Sequence, residues 1–405
     1  ETPAVDRLVR AGVLFERAYS PAPLTLPAHA GLVTGLGPEE HGIRDNVGQR
    51  LEAGVETLAE RLSEEGWATL GAVSSWVLRA ETGIDQGFEL WEDSLPKREQ
   101  ATLAEQERSG VETLSALLEA LDGREARPRL LFLHLYEPHY PYEAPEPFAS
   151  RYDDPYDAEI AAADAVLGSL LAELERRGWY ESAAIVLLSD HGEGLGDHGE
   201  LRHGVLLYRE VLQVPLVVKL PGRRAAGRRV SVPVDLLDVA PALLDLAGVE
   251  AGGSRLLSAI DGEPVAERAL LAETFYPRLR FGWSELLSVI EGRWHLVEGP
   301  RAELYDVQSD PGEETDLSAA RPEVVEALQA RLAGIERTVA TRGFVDEADR
   351  AALEALGYLG GTVVAEEGEA LPHPRDRVHV LPWLEQGIGA LRDGDETRAI
   401  ERLEA

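Results

Sequence analysis

Two polar segments of the chain contain side chains that could bind a metal ion or attack an ester. Asp190 and His191 directly follow the apolar run AAIVLLS at 183–189, so a carboxylate oxygen stands beside an imidazole nitrogen. This pair of donors suits zinc, manganese or a similar divalent ion. An aspartate and a neighbouring surface histidine at a helix N-terminus are the alternative. Both interpretations remain open from these two residues alone.

Thr25 lies in the second polar segment, SPAPLTLPAHAGLVTG at 20–35. Pro27 suits the first turn of a helix that runs to Thr34 and stops at Gly35. Unpaired N–H groups and the positive helix dipole at Thr25 would favour a sulfuryl or phosphoryl group, although a threonine there is more often only a cap. Because its hydroxyl is a weak nucleophile, Thr25 needs a metal ion or an adjacent base. His29, one turn later, is predicted on the same helix face.

Histidines are concentrated in the predicted loops. His139, in EPHYPY after an apolar run, could act as an acid, a base or an anion ligand, or simply pack within a proline-rich loop. Six of the ten histidines lie after predicted strands or at helix starts, namely His29, His41, His139, His191, His198 and His203. Ligands of open parallel sheets bind at the carboxyl ends of the strands, so we expect this region to form the site.

The elements that must position these residues alternate between strands and helices. Apolar runs at 68–73, 130–136, 183–189 and 214–220 are typical of buried strands, and helices are predicted at 55–65, 101–121, 158–176 and 235–246. This alternation predicts an α/β fold with a mostly parallel sheet flanked by helices.

Four regions are predicted along the chain. Residues 1–265 form the α/β catalytic core, and 266–356, which include a predicted antiparallel hairpin, form a smaller α+β part of the same unit. The Gly-, Pro- and charge-rich stretch 357–377 is predicted to be a linker. Residues 378–405 are predicted to be a helix pair that begins a repeat array.

Composition excludes several classes of protein. The 405 residues include 73 acidic and 39 basic side chains, and a net charge of −34 opposes nucleic-acid binding. There is no cysteine, so any metal must bind to oxygen and nitrogen ligands. The chain starts at Glu1 and stops within a predicted helix. We therefore expect it to be a fragment, with any signal region lying upstream.

Together these segments resemble the sulfatase branch of the alkaline phosphatase superfamily over about residues 1–340. The sulfatase signature is Cys or Ser, any residue, Pro, a small residue and Arg, then Leu three residues on and Thr-Gly two beyond. This chain has TLPAH at 25–29, followed by Leu32, Thr34 and Gly35. EPHYPY, SDHGE, HGVLLYREVLQVPLVVKLPG and LYDVQSDPGEETDL are similar to family motifs and keep their order. The tail resembles a tetratricopeptide repeat through Trp383, Gly387, Ala399 and Leu403.

The resemblance implies an alkaline phosphatase-like fold and one divalent metal ion, such as zinc, manganese or calcium. It implies cleavage of sulfate or phosphate esters through a covalent intermediate on Thr25. Further acidic metal ligands are expected on a strand upstream of Glu1. The implied roles are metal binding for Asp190, His191 and Thr25, catalysis for Thr25, His139 and His203, and substrate binding for His29.

Three departures from the family pattern shape the functional hypothesis. Threonine replaces the Cys or Ser that sulfatases convert to formylglycine, His29 replaces the arginine, and the basic segment expected near 72–88 is missing. Threonine nucleophiles occur in superfamily members that act on phosphoesters and phosphonates. The leading hypothesis is therefore a metal-dependent hydrolase that favours phosphoesters. A phospho-group transferase and a catalytically degenerate binding module are the alternatives.

The resemblance also predicts the substrate, the partners and the cellular location of the protein. We expect a small-molecule, glycan or lipid ester as substrate, no nucleic acid, and a protein partner held by the repeat tail. By resemblance, the location is periplasmic or otherwise extracytoplasmic.

Overall fold

The core of the protein is a five-stranded mixed sheet flanked by helices. The computed structural model describes residues 2–96, 107–121, 127–337 and 371–392, together with 395, 397 and 400. The strand order is β5-β6-β1-β7, with β8 also paired to β1. The strands are β1 (Val13–Tyr19), β5 (Ile185–Leu188), β6 (Gln213–Lys219), β7 (Arg228–Val230) and β8 (Val234–Asp235).

The direction of β6 corrects the prediction of a mostly parallel sheet. β6 is antiparallel to both β1 and β5, whereas β7 and β8 are parallel to β1. Between β5 and β6 the chain contains no helix long enough for a crossover, so it returns in the opposite direction. The apolar run in β6 does not reveal this, because a strand buried on both faces looks the same in either direction.

A second, smaller sheet is parallel throughout. It has the order β3-β2-β4, formed by β2 (Ala68–Ala72), β3 (Leu90–Glu92) and β4 (Arg129–Leu133). The predicted α/β class is therefore confirmed, with mixed sheets. The helices of this part are α1 (Pro3–Ala11), α2 (Thr25–Thr34), α3 (Pro38–His41), α4 (Leu58–Glu64), α5 (Gly110–Leu121), α6 (Pro155–Arg176), α7 (Arg209–Leu212), α8 (Val239–Ala247) and α9 (Arg255–Asp261).

Local sequence explains how α2 is held at the end of β1. Val13, Phe15 and Ala18 of β1 are buried in the main apolar core, which fixes the strand. Residues 20–24 then lead into α2, which contains Pro27 in its first turn. The helix ends at Gly35, whose left-handed φ of 74° lets its N–H donate to Gly31 O. Thr25 is thereby fixed between a core strand and a buried helix.

The second half of the chain contains an antiparallel sheet of order β12-β11-β10-β9. Its pairing confirms the predicted hairpin between β10 and β11. Helix α11 (Pro322–Leu332) packs on the sheet through Leu328 and Leu332. The remaining elements are β9 (Leu270–Thr274), α10 (Tyr276–Phe281), β10 (Leu286–Glu291), β11 (Trp294–Glu298) and β12 (Ala302–Asp306).

The tail differs from the predicted linker and repeat. Helix α12 (Pro374–Arg377) lies against the antiparallel sheet, where Arg375 Nη1 donates to Glu303 Oε2 at 2.9 Å and to Tyr305 Oη at 2.8 Å. The end of the predicted linker is therefore docked, whereas 357–370 lie outside the described residues. Within 378–405, the described residues contain one α-helix, α13 (Leu381–Arg392). A tetratricopeptide repeat is not supported, nor is the protein partner that depended on it.

No helix in the described part of the chain combines the length and the apolar character needed to cross a bilayer.

Lys219 is buried in β6 and provides a test of the fold. Its Nζ donates to the carbonyl oxygens of Tyr180, Glu181 and Ala183, the last at 2.9 Å. We expect Lys219→Met to lower the free energy of unfolding by about 3 kcal/mol, because three carbonyls lose their donor. Urea unfolding of both proteins measures the change. The exposed Arg229→Met is the control and should change stability by less than about 1 kcal/mol. A similar small change in Lys219→Met would contradict this account.

Candidate active site

Thr25 is the first residue of α2 and is almost fully buried, with 8% of its surface exposed. The backbone N–H groups after it are not free to bind an anion. Leu26 donates to Asn46 Oδ1 at 2.8 Å, Pro27 has no N–H, and Ala28 donates to Leu24 O at 3.0 Å. The expectation of unpaired N–H groups in this turn is therefore wrong for these three positions. The positive end of the helix dipole remains as a favourable field for negative charge.

His191 presents one ring nitrogen to the Thr25 hydroxyl. Its Nδ1 lies 2.8 Å from Gly192 O, and because a carbonyl only accepts, Nδ1 carries the proton. The lone pair of Nε2 then faces Thr25 Oγ1 at 3.3 Å. Gly192 is required here, since a Cβ atom would lie 2.0 Å from Glu210 O. Backbone packing thus orients a ring that can accept the Thr25 proton or bind a metal ion.

Asp190 is held as a carboxylate beside this ring. Its Oδ1 accepts from the His191 N–H at 3.0 Å, and its Oδ2 lies 3.4 Å from His29 Nδ1. Burial opposes ionisation, but His191, His29 and His134 together hold the pKa of Asp190 well below its usual range. Asp190 is therefore negatively charged at neutral pH, which suits a bound cation.

His29 lies behind Thr25 rather than beside the open part of the site. Its Nδ1 donates to Thr25 O at 2.8 Å and also faces Asp190 Oδ2. Only 3% of the residue is exposed. This arrangement supports a role in positioning Asp190 more directly than the predicted substrate-binding role, which stays a prediction.

His139 and His203 form a close pair. His139 Nδ1 donates to Tyr140 O at 2.7 Å, and His203 Nδ1 donates to Pro23 O at 3.0 Å. Their Nε2 atoms are 3.2 Å apart, a contact that is favourable only when one of them carries a proton. Burial lowers the pKa of His139 to about 4 and that of His203 well below its usual range. Because burial opposes an extra proton, an anionic ligand is needed to favour the protonated pair.

The structure brings all six predicted site residues together and adds His134, which the sequence pattern did not indicate. The His203 ring stacks 4.0 Å from the His191 ring, which joins the histidine pair to Thr25 and Asp190. His134, directly after β4, lies with its ring centre 5.2 Å from that of His29. A lone histidine in the apolar run LLFLHLY was the available signal. His198 instead stacks on Tyr208 and contacts Glu210.

The pKa of His134 leads to a pH-dependent prediction. Burial, followed by repulsion from His29, lowers it to about 3, against about 6.5 in an unfolded chain. The unfolded state therefore takes up the extra proton first, and stability falls as the pH decreases through this window. In chelator-treated protein, we expect the contribution of His134 to the free energy of unfolding to fall by roughly 2 kcal/mol between about pH 8 and about pH 5.

Urea unfolding of the wild type and of His134→Gln at both pH values measures this change. Relative to His134→Gln, the wild type should lose roughly 2 kcal/mol of unfolding free energy between the higher and the lower pH. A difference that does not depend on pH would contradict the assignment.

The donors fit part of a metal site. Thr25, Asp190 and His191 offer a hydroxyl, a carboxylate and an imidazole nitrogen, all suitable for a divalent ion. Divalent ions take four or more ligands, so further ligands must come from outside this trio. In the described ranges, no group of three or more His, Cys, Asp or Glu residues is arranged to hold a metal ion.

Comparison with known proteins places this geometry in a family. Residues 1–249, more than half of the chain, match the family model described as Sulfatase. The chain belongs to the sulfatase family. Residues 196–338 of the chain also match a model described as N-sulphoglucosamine sulphohydrolase, C-terminal. Members of the family are generally dependent on a divalent cation.

One curated relative and two solved structures illustrate the similarity. Arylsulfatase K of Bos taurus is 29% identical to the chain over 198 residues, which cover 44% of this chain and 36% of the bovine protein. The chain thus matches only about a third of that relative.

The two solved structures show the shared fold. One is a protein in complex with its substrate D-glucosamine-2-N,6-O-disulfate, with a TM-score of 0.69 and 20% identity over 82% of this chain and 92% of that chain. The other is the phosphonate monoester hydrolase of Agrobacterium radiobacter, with a TM-score of 0.67 and 20% identity over 83% of this chain and 90% of that chain.

Proposed function

We propose that the chain hydrolyses sulfate and phosphate-type esters through a covalent intermediate on Thr25, and phosphoesters faster than sulfate esters. The observation that carries this proposal is the 3.3 Å approach of Thr25 Oγ1 to His191 Nε2, whose tautomer Gly192 O fixes. A hydroxyl beside an oriented imidazole is the arrangement that an attacking alcohol needs. Asp190 and the His139–His203 pair lie in the same cluster and would supply negative charge and a proton.

The chemical step forms one bond and breaks another. Thr25 Oγ1 attacks the sulfur or phosphorus atom in line with the leaving alcohol, and the bond from that atom to the leaving oxygen breaks as the Thr25 ester forms. The Thr25 proton passes to His191 Nε2 where no cation occupies that nitrogen. Water then attacks the Thr25 ester and regenerates the hydroxyl. The N-terminal end of α2 favours the negative charge carried by the transferred group.

Asp190 and His191, with Thr25, are the residues that would hold a divalent cation. That cation would lower the pKa of the attacking hydroxyl and neutralise negative charge on the ester. The carboxylate of Asp190 and the orientation of His191 prepare the chain for this role.

The His139–His203 pair would provide the proton for the leaving oxygen. An anionic ester favours protonation of the pair, and the proton shared across the 3.2 Å contact can then pass to the departing alkoxide. The pair therefore takes up a proton from solvent when the anionic ester binds, and this proton leaves with the alcohol.

The preference for phosphoesters depends on the chemistry of Thr25. By the resemblance, this position in sulfatases carries an aldehyde hydrate. A threonine cannot form one, so water must attack the sulfur or phosphorus atom of the intermediate directly to release the transferred group. The structural similarity to a phosphonate monoester hydrolase is consistent with this preference. By family resemblance we also propose a small-molecule or glycan ester as substrate and a periplasmic or extracytoplasmic location.

Turnover of matched aryl sulfate, phosphate monoester, phosphate diester and phosphonate tests the proposal. The assay is run with added zinc, manganese or calcium. Faster cleavage of phosphoesters supports the proposal, and a sulfate preference overturns that part of it. Transfer to an added alcohol without net hydrolysis would indicate a transferase. No turnover and no metal binding would favour a degenerate binding module.

A further inference from the structure

A tyrosine and a glutamate with unsatisfied polar atoms lie beside the candidate catalytic histidines. Tyr142 follows His139 by three residues, and its N–H donates to His139 O at 3.1 Å. Glu193 follows His191 by two residues on the other loop. The Tyr142 hydroxyl and the Glu193 carboxylate interact electrostatically, so the two loops meet at this pair.

Both groups are largely withdrawn from solvent, and the polar partner identified for each is the other. Glu193 is 8% exposed. Its Oε1 and the Oη of Tyr142 are buried, and neither forms a hydrogen bond of regular geometry within the described residues. Buried polar atoms are almost always hydrogen-bonded, so two such atoms side by side next to a reaction centre point to a ligand that supplies the missing bonds.

Tyr142 has an unfavourable backbone conformation. Its φ is 57°, in the left-handed region that is unfavourable for a bulky residue. Its ring makes edge contacts with Tyr140 at 5.9 Å and with Tyr156 at 5.5 Å between ring centres. Strain of this kind persists where the surroundings fix a side chain for a function. The hydroxyl is thus pre-positioned next to Glu193.

The outer wall of this region is aromatic. The guanidinium of Arg202 lies 3.4 Å from the centre of the Tyr140 ring, and Tyr140 is 37% exposed. Because His203 follows Arg202 directly, this wall is continuous with the proton-donating pair. A leaving alcohol that takes its proton from His139 departs close to Tyr142, whose N–H donates to His139 O.

We propose that Tyr142 and Glu193 bind a hydroxyl group of the leaving alcohol and so select substrates that carry a second hydroxyl near the ester. The substrate hydroxyl donates to Glu193 Oε1 and accepts from the Tyr142 O–H, which satisfies both atoms. This inference rests on the proposed function and names the alcohol it favours. Tyr142 and Glu193 would be specificity-determining residues.

The test compares two alcohols esterified with the same acid group. One substrate is the para-nitrophenyl ester, which has no second hydroxyl, and the others are the monoesters of methyl glucoside. The readout is the ratio of kcat/KM for the best glucoside ester to kcat/KM for the aryl ester. We expect this ratio to fall by about 10-fold to 100-fold in Tyr142→Phe and Glu193→Met. Glu193→Gln, which keeps an accepting oxygen, should recover part of it.

The matched control is Glu143→Gln, an exposed carboxylate in the same loop. It should leave both kcat/KM values unchanged. If Tyr142→Phe and Glu193→Met lower kcat/KM equally for both esters, or for neither, the inference is overturned, because the pair then does not distinguish the two alcohols. Equal loss would instead indicate a structural role or a cation ligand.

Binding of methyl glucoside, the product alcohol, separates failure of this inference from failure of the proposed function. Ligand-observed magnetic resonance measures binding without turnover. If no aryl ester is cleaved, the proposed function fails, and the subsite still predicts glucoside binding that Tyr142→Phe and Glu193→Met weaken. If aryl esters are cleaved, but methyl glucoside does not bind and its esters are not cleaved, only this inference fails.

Discussion

Thr25→Ala is expected to lower kcat/KM by on the order of 10⁴-fold for every ester that the wild type cleaves, since it removes the attacking oxygen. Within the described chain, Oγ1 of Thr25 is the hydroxyl that faces His191 Nε2. The side chain is small and lies at the first position of α2, so the loss of stability should stay near about 1 kcal/mol. Steady-state kinetics and urea unfolding of the same preparations measure the two effects separately.

Thr25→Ser is the matched control for this substitution. It keeps the hydroxyl and removes one methyl group, so activity should stay within about 10-fold of the wild type. If Thr25→Ala retained comparable activity, the attacking group would be a water molecule or another side chain, and the proposed covalent intermediate would be wrong.

Asp190→Asn is expected to have the second largest effect. The substitution keeps the size of the side chain but removes the charge that His191, His29 and His134 favour. Loss of an anionic metal ligand should weaken zinc or manganese binding and lower kcat/KM by about 10³-fold, because the cation is worth several kcal/mol in such reactions. Equilibrium dialysis with each metal and kinetics on the same ester check both parts.

Asp197→Asn is the corresponding control, because Asp197 is an exposed carboxylate in the loop that follows His191. It should leave metal affinity and activity unchanged. Unchanged metal affinity in Asp190→Asn would contradict the assignment of Asp190 as a ligand, even if activity fell.

The sequence was informative where short loops follow strands. Asp190 and His191 lie directly after β5, and Thr25 begins the helix after β1, so the fold brings them together without any long-range information about side chains. The ending of α2 at Gly35 was predictable for the same reason, because a glycine in the left-handed conformation is a local signal. The roles assigned to these residues remain predictions.

Features that depend on tertiary contacts could not be predicted in this way. The Leu26 N–H is satisfied by Asn46 from a distant loop, which no local pattern indicates. His134 lies in a run that looks entirely like core, and the direction of β6 leaves no trace in its apolar residues. The docking of Arg375 on Glu303 similarly joins residues far apart in sequence, in a stretch whose composition suggested a linker.

Chemical identification of the intermediate tests the central claim most directly. The protein is mixed with its best aryl ester, quenched in acid within the first turnover, and digested, and the peptide between Arg17 and Arg44 is analysed by mass spectrometry. The account predicts one sulfuryl or phosphoryl group on this peptide, located at Thr25 by fragmentation and missing from Thr25→Ala. An adduct on another residue, or continued turnover while the Thr25 peptide stays unmodified, would contradict it.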